Sequence, residues 1–156
     1  AIQMYVDRLV PEAGILPAVD SALDKAKQYS DLIWCSSTLH PAVRQVRVPV
    51  RFTTTDPTGV VDRGQEYVES LLVELNTCFA EQAFWYGETW SIMDVYLYWC
   101  YSTAGGSDVI ALDNYPHVLS HAERVRERPS YQRALKRELV AMDRSGMVLP
   151  GGMTLS

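Results

Sequence analysis

Trp90-Ser91-Ile92-Met93-Asp94, followed at once by the apolar run Val95-Tyr96-Leu97-Tyr98-Trp99, specifies a helix start in three ways. Ser91 is placed to accept the backbone N–H of Asp94 while the Asp94 carboxylate reaches back to the N–H of Ser91. This reciprocal capping box satisfies two donors that the helix itself leaves unpaired. Trp90 just before the cap and Val95 just inside the first turn hold the positions of a hydrophobic staple, which fixes the direction from which the chain arrives. The helix that follows is apolar nearly all round to about Tyr101, and such helices are usually central. Ser91 and Asp94 are read as structural: no histidine accompanies them in sequence, and capping occupies both side chains. Loss of the box should cost about 1 kcal/mol.

Working outward, the helical period continues on both sides. Ala22, Ala26, Tyr29, Ile33, Ser36 and His40 recur three or four apart on one face, Leu23, Leu32, Trp34 and Leu39 widen it, and Pro41 is expected to end this first long helix. Tyr67, Leu71, Leu75, Cys78 and Phe79 form a second amphipathic face that breaks at Gly87. Residues 116–127 and 130–142 make two more helices, the last closed by Gly146. One stretch disagrees. Val46, Val48, Val50 and Phe52 alternate with Arg47 and Arg51 as in a half-buried strand, although Pro49 opposes a place inside a sheet. We read 46–52 as an extended connector, with a small β-ribbon as the alternative.

Composition bounds the function classes. The chain has 156 residues, 47% hydrophobic and 21% charged, so it can bury an ordinary core, and its length suggests one globular unit. A formal charge of −5 without a basic cluster opposes binding to nucleic acid or to an anionic membrane surface. Cys35, Cys78 and Cys100 are odd in number and set among apolar residues, which suits reduced thiols in the cytoplasm rather than a disulfide framework. The longest apolar run is far below the roughly 20 residues of a membrane span. Pro and Gly gather around Pro11, Gly14 and Pro17 and again at Pro150-Gly151-Gly152, where irregular backbone is expected.

The stretch Phe84-Trp85-Tyr86-Gly87-Glu88-Thr89-Trp90-Ser91-Ile92-Met93-Asp94-Val95-Tyr96-Leu97 resembles the C-terminal helical domain of the bacterial cytosolic glutathione transferases. Tyr115-Pro116-His117 and Glu127-Arg128-Pro129-Ser130-Tyr131-Gln132-Arg133-Ala134-Leu135 are similar to that family's tyrosine-proline helix start and its arginine-proline turn into the last long helix. Ala1-Ile2-Gln3-Met4-Tyr5-Val6 looks like the helix that closes the family's thioredoxin-like N-terminal domain, and Leu16-Pro17 like the linker behind it. The resemblance implies an all-α fold: a glutathione transferase C-terminal-like bundle of about five helices, preceded by the last helix of a thioredoxin-like domain that is largely absent from the chain. It divides the sequence into that helix end (1–10), an interdomain linker (11–20), the helical domain (21–145) and a tail (146–156). Because the chain opens on Ala rather than Met, it reads as part of something longer.

By resemblance, the full-length protein conjugates glutathione to small apolar electrophiles, a detoxifying reaction, as a cytoplasmic homodimer in which the first two long helices contribute to the contact. Glutathione would be its co-substrate, with no permanently bound cofactor. The thiol-activating Ser, Tyr or Cys would lie in the missing domain, so no catalytic residue is expected in this chain and the chain alone should be inactive. This half would wall the electrophile pocket. A non-catalytic interaction module of the same fold is the alternative, and a reductive or isomerising glutathione enzyme a third.

Thr38-Leu39-His40 resembles the helix end where bacterial members place a histidine facing the glutathione thiol, which makes His40 an auxiliary candidate. The match departs at Pro41, where that subgroup commonly has a basic residue. Tyr29, Ile33 and Ser36 share the face of His40, and Tyr98, Trp99 and Tyr101 lie on the helix that crosses it in the family, so together they are expected to bind the electrophile. His117 and His121, four apart, are expected to be a solvated pair rather than a metal site, since no further ligand stands at matched spacing. Arg44, Arg47 and Arg51 are read as the wet face of a connector.

Overall fold

The computed structural model describes residues 2–145, and its regular elements are all helical. In chain order they are α1 (Ile2–Leu9), α2 (Ala22–Trp34), α3 (His40–Arg47), α4 (Thr58–Glu81), α5 (Ile92–Gly105), α6 (Pro116–Glu127) and α7 (Pro129–Ser145). Among the described residues there is no named strand, and pairing is limited to two isolated bridges in the loop before α5, Phe84 with Gly87 and Tyr86 with Thr89. Gly87 supplies the positive φ of 79° that this tight loop needs. No described helix is long and apolar enough to cross a membrane.

The capping box forms. The Ser91 N–H donates to Asp94 Oδ2 at 2.8 Å and the Met93 N–H donates to Ser91 Oγ at 3.2 Å, both within a fully buried helix start. α5 then runs one turn past Tyr101, to Gly105, with Met93, Leu97, Cys100 and Ala104 fully buried. Leu39, Val43, Val68, Leu72 and Leu75 complete the centre of the core around it. That placement explains why α5 has no polar stripe.

Pro41 does not end the first helix. α2, capped by Ser21 Oγ accepting the Asp24 N–H at 3.0 Å, widens into one π turn over Cys35–Leu39 and continues directly as α3. The turn is closed by the His40 N–H donating to the Cys35 carbonyl. A proline inside a helix lacks an N–H and drives its ring against the carbonyl four residues back. Here that carbonyl belongs to Ser37, inside the wider turn, so the helix absorbs the proline by local unwinding.

Residues 46–52 are neither extended nor a ribbon. Val46 and Arg47 finish α3, and Pro49–Arg51 forms a 3₁₀ turn. Ala42 and Val43, with Val46 four and three residues on, are buried on the inner face of α3. The alternating valines therefore belong to the end of one helix and the turn after it, a pattern created by crossing an element boundary. α3 lies so close to α4 that a Cβ on Gly64 would fall 2.7 Å from Gln45 Cβ. α4 itself begins at Thr58, whose N–H donates to Asp56 Oδ1 at 3.0 Å, well ahead of the first apolar marker, Tyr67.

The chain divides into two units, residues through Ala122 and residues from Glu123 on, where length alone suggested one. In the second unit the Arg128 N–H donates to the Val125 carbonyl at 3.3 Å and Gln132 Nε2 to the Arg126 carbonyl at 2.6 Å, which shapes the turn into α7. α7 contains no buried residue. The expected stop at Gly146 and the tail behind it lie outside the described residues.

Candidate functional site

The π turn delivers His40 and Arg44 to one side of the first unit, opposite Tyr96 and Trp99 of α5. His40 Nδ1 is 3.0 Å from the Tyr96 hydroxyl, and Arg44 Nε donates to His40 Nε2 at 3.0 Å. These two contacts set the tautomer. An arginine can only donate, so Nε2 carries the lone pair, the proton sits on Nδ1, and Nδ1–H donates to the Tyr96 oxygen. The Tyr96 O–H is left to donate elsewhere. Burial, and after it the charge of Arg44, holds the His40 pKa below the ordinary histidine value, so the ring is neutral at neutral pH. Burial foremost, then Cys100 and Cys35, pushes the Tyr96 pKa up to about 12, so its hydroxyl stays protonated and is a donor rather than a phenolate. The Trp99 ring centroid lies 4.5 Å from that of His40 and covers its flank.

Beside this cluster, α1 and α2 enclose an open, mostly apolar groove. Tyr96 borders a cavity of 520 Å³ together with Ile2, Gln3, Met4, Leu32, Ile33 and Ser36. A neighbouring cavity of 810 Å³ shares Met4 and Ile33 and adds Tyr5, Arg8, Leu9 and Tyr29. Lys25 Nζ contacts Asp7 Oδ2 at 2.7 Å, which ties α1 to α2 and holds the groove in place. The linker between them is pinned twice: Gln28 Nε2 donates to the Pro17 carbonyl at 2.8 Å, and the Ile92 N–H to the Ile15 carbonyl at 2.7 Å. Ser36 Oγ donates back to the Ile33 carbonyl at 2.9 Å, so its oxygen faces a ligand as an acceptor only.

Tyr29, Ile33, Ser36, His40 and Trp99 thus gather around one groove and its edge. Tyr101 does not. It is 1% exposed, and its hydroxyl is 2.7 Å from His121 Nδ1 in the core, so it is no wall of a pocket. Tyr98 is half-buried with its ring set edge-on to that of Tyr101 at 5.7 Å. Sequence reading missed Tyr96, one helical turn before Cys100, and Arg44, four residues after His40. The signal available was the spacing of four between His40 and Arg44, which puts the two on one helix face.

Two further readings change. His121 is fully buried, not one of a solvated pair, and its Nε2 lies 3.0 Å from Asp94 Oδ1. The cap therefore leaves one carboxylate oxygen over, and that oxygen also accepts the Trp85 N–H at 2.7 Å. Ser91, Asp94 and His121 do meet in space, but Ser91 Oγ donates to Asp94 and all three are sealed in the core, so they form a structural network without access for a substrate. The arginine strip is not simply wet either: Arg44 holds His40, and Arg47 donates to the Gly106 carbonyl.

No family model matches the chain, and no curated protein matches it in sequence. Solved structures do. A bacterial beta class glutathione S-transferase from Sphingomonas chungbukensis superposes with a TM-score of 0.75 at 24% identity, over 88% of this chain and 65% of that one. A sphingomonad glutathione S-transferase complexed with glutathione gives 0.72 at 27% identity, again over 88% and 65%. BphK, a bacterial glutathione S-transferase solved as a ternary complex, gives 0.74 at 21%, over 86% and 64%. The chain thus spans 65% of the first two of these relatives, and its fold is that of the C-terminal helical domain of bacterial glutathione S-transferases.

Proposed function

We propose that this chain is the pocket-forming half of a glutathione S-transferase that conjugates glutathione to small apolar electrophiles. The observation that carries the reading is the relay from Arg44 through His40 to Tyr96 at the rim of an apolar groove. In such a conjugation the glutathione thiolate attacks the electrophile, a carbon–sulfur bond forms, and negative charge moves onto the acceptor or a departing group. Met4, Ile33 and the aromatic rings supply an apolar seat for the electrophile. Tyr96, oriented by His40, donates its O–H to the charge that moves during attack, and Arg44 polarises the chain of donors from behind. Thiol activation is assigned to a thioredoxin-like domain outside this chain, as is the grip on glutathione. Both the activity and a homodimeric assembly belong to this proposal.

The reading is tested by joining the chain to the thioredoxin-like domain of a structural relative and following conjugation of glutathione to a halogenated dinitrobenzene. A hydrogen bond to a developing charge contributes roughly 1.5–3 kcal/mol, so Tyr96→Phe should lower kcat/KM by about ten- to a hundredfold. His40→Ala should lower it through the same hydroxyl, and the double variant should be little worse than Tyr96→Phe alone, because the two act in series. If the joined protein folds, binds glutathione and still does not conjugate, the chain is instead a non-catalytic interaction module.

A further inference from the structure

A second cavity, of 350 Å³, opens on the other side of α2, between α2, α4 and the loop before α5. It lies within the first unit and shares no lining residue with the groove beside His40. The reason is helical geometry: Asp31 lies two residues before Ile33, about 200° round the helix. Trp34 and Trp85 line it as a stacked pair, with centroids 5.8 Å apart and planes 16° from parallel. Asp31 stands beside them. Its Oδ2 accepts from Trp85 Nε1 at 3.0 Å and from the Tyr86 hydroxyl at 2.8 Å, two neutral donors that orient the carboxylate without cancelling its charge. Among the described residues Asp31 Oδ1 accepts no hydrogen bond, and neither Asp31 nor Glu74, on the opposite wall, has a cationic partner. Cys78 completes the lining with a thiol whose pKa burial raises, so it adds polarisable bulk and no positive charge.

The outer faces of stacked indoles are electron-rich, and two carboxylates without cationic partners deepen the negative potential of the recess. That combination selects for positive charge carried on a weakly hydrated apolar body. We propose that this cavity binds a free small organic cation, a quaternary or protonated tertiary amine, at a site separate from the groove beside His40. Its volume falls within the range of small-molecule pockets, roughly 300–1,000 Å³. An anion would meet Asp31 and Glu74. A compact, strongly hydrated metal ion would lose its water to indole faces that return little.

The probe is choline, set against 3,3-dimethyl-1-butanol, which has the same shape with carbon in place of the charged nitrogen. Tryptophan fluorescence and chemical-shift changes of the Trp34 and Trp85 indoles report occupancy. Choline should bind saturably and at least about tenfold more tightly than the neutral alcohol. Asp31→Asn keeps an acceptor for Trp85 and Tyr86 while removing the charge, and Glu74→Gln alters an exposed position, so neither threatens folding. Each should weaken choline binding about three- to tenfold, while Glu88→Gln, outside the cavity, leaves it unchanged. Equal binding of the alcohol would overturn the proposal and make the recess a simple apolar cleft. Failure of choline to saturate, or affinity indifferent to both charge-removing variants, would equally overturn it.

Discussion

Asp94 receives donors on both carboxylate oxygens: the Ser91 N–H and Oγ on one, the Trp85 N–H and His121 Nε2 on the other. Its removal leaves four donors without their acceptor, three of them on the fully buried Ser91 and His121. Asp94→Ala should therefore cost about 3 kcal/mol, since each buried polar group left without its partner costs roughly 1–3 kcal/mol, where a cap alone would cost about 1 kcal/mol. Urea unfolding with an unchanged slope checks this, and a loss near the smaller figure would show the second oxygen to be dispensable. His121→Phe should cost less, because three donors to Asp94 remain. His40 is the group beside the groove whose charge changes nearest neutral pH. Its folded pKa is lowered, so its neutral form is complete above the ordinary value of about 6.5 and is lost only as pH falls through the lower folded value. Protonation removes the lone pair that accepts from Arg44 and sets two cations side by side. Folding stability and conjugation should both decline on that acid side, below about 6.5, and His40→Gln should abolish that limb of the pH profile. An acid limb centred above 6.5, or one that survives His40→Gln, would remove the histidine from the mechanism.

Among elements, the crossing of α3 with α4 at Gly64 is the most exacting, since the nearest atom is a Cβ rigidly attached to the backbone of Gln45 rather than the end of a flexible side chain. Gly64→Ala must push the helices apart and should destabilise by about 1–3 kcal/mol, as overpacked cores do, despite the better helix propensity of alanine. Thermal melting decides; a rise in Tm would mean that the pair separates at little cost. The elements differ in how plainly the sequence announces them. α5 was legible because cap, apolar run and flanking turn residues all agree. The join of α2 to α3 was not, because Pro41 carries the strongest local stop signal and only a π turn, which leaves no pattern in side-chain type, can override it. The 46–52 stretch misled for the converse reason, showing a strand's alternation across the boundary between a helix and a 3₁₀ turn. At the site, His40 was reachable by resemblance. Tyr96 was hidden in a run apolar enough to look like core throughout, and the meeting of Asp94 with His121 spans a separation that no periodicity records.

At the scale of the molecule, α1 leaves more large apolar side chains exposed than any other described element. Ile2, Tyr5 and Leu9 are 80%, 65% and 63% exposed, and α1 buries no residue fully, although it is amphipathic and tied to α2 through Asp7. Under the proposed function this face packs against the thioredoxin-like domain, which also brings the activated thiol to the groove beside Tyr96. Two consequences follow together. The chain by itself should hold apolar ligands weakly and conjugate glutathione no faster than the uncatalysed reaction, because a pocket that binds without stabilising the forming bond gives affinity and no rate. Joined to a thioredoxin-like domain, it should gain turnover and lose the hydrophobic-dye binding that the exposed face of α1 confers. Tyr5→Asp with Leu9→Asp, two residues that also line the 810 Å³ cavity, should uncouple the pair: the helical spectrum of the chain is preserved, direct association with the thioredoxin-like domain supplied as a separate protein is lost, and turnover of the joined protein falls with it. Turnover by the chain alone would overturn this division of labour, and turnover of the joined protein that ignores the two aspartates would place the contact elsewhere than α1.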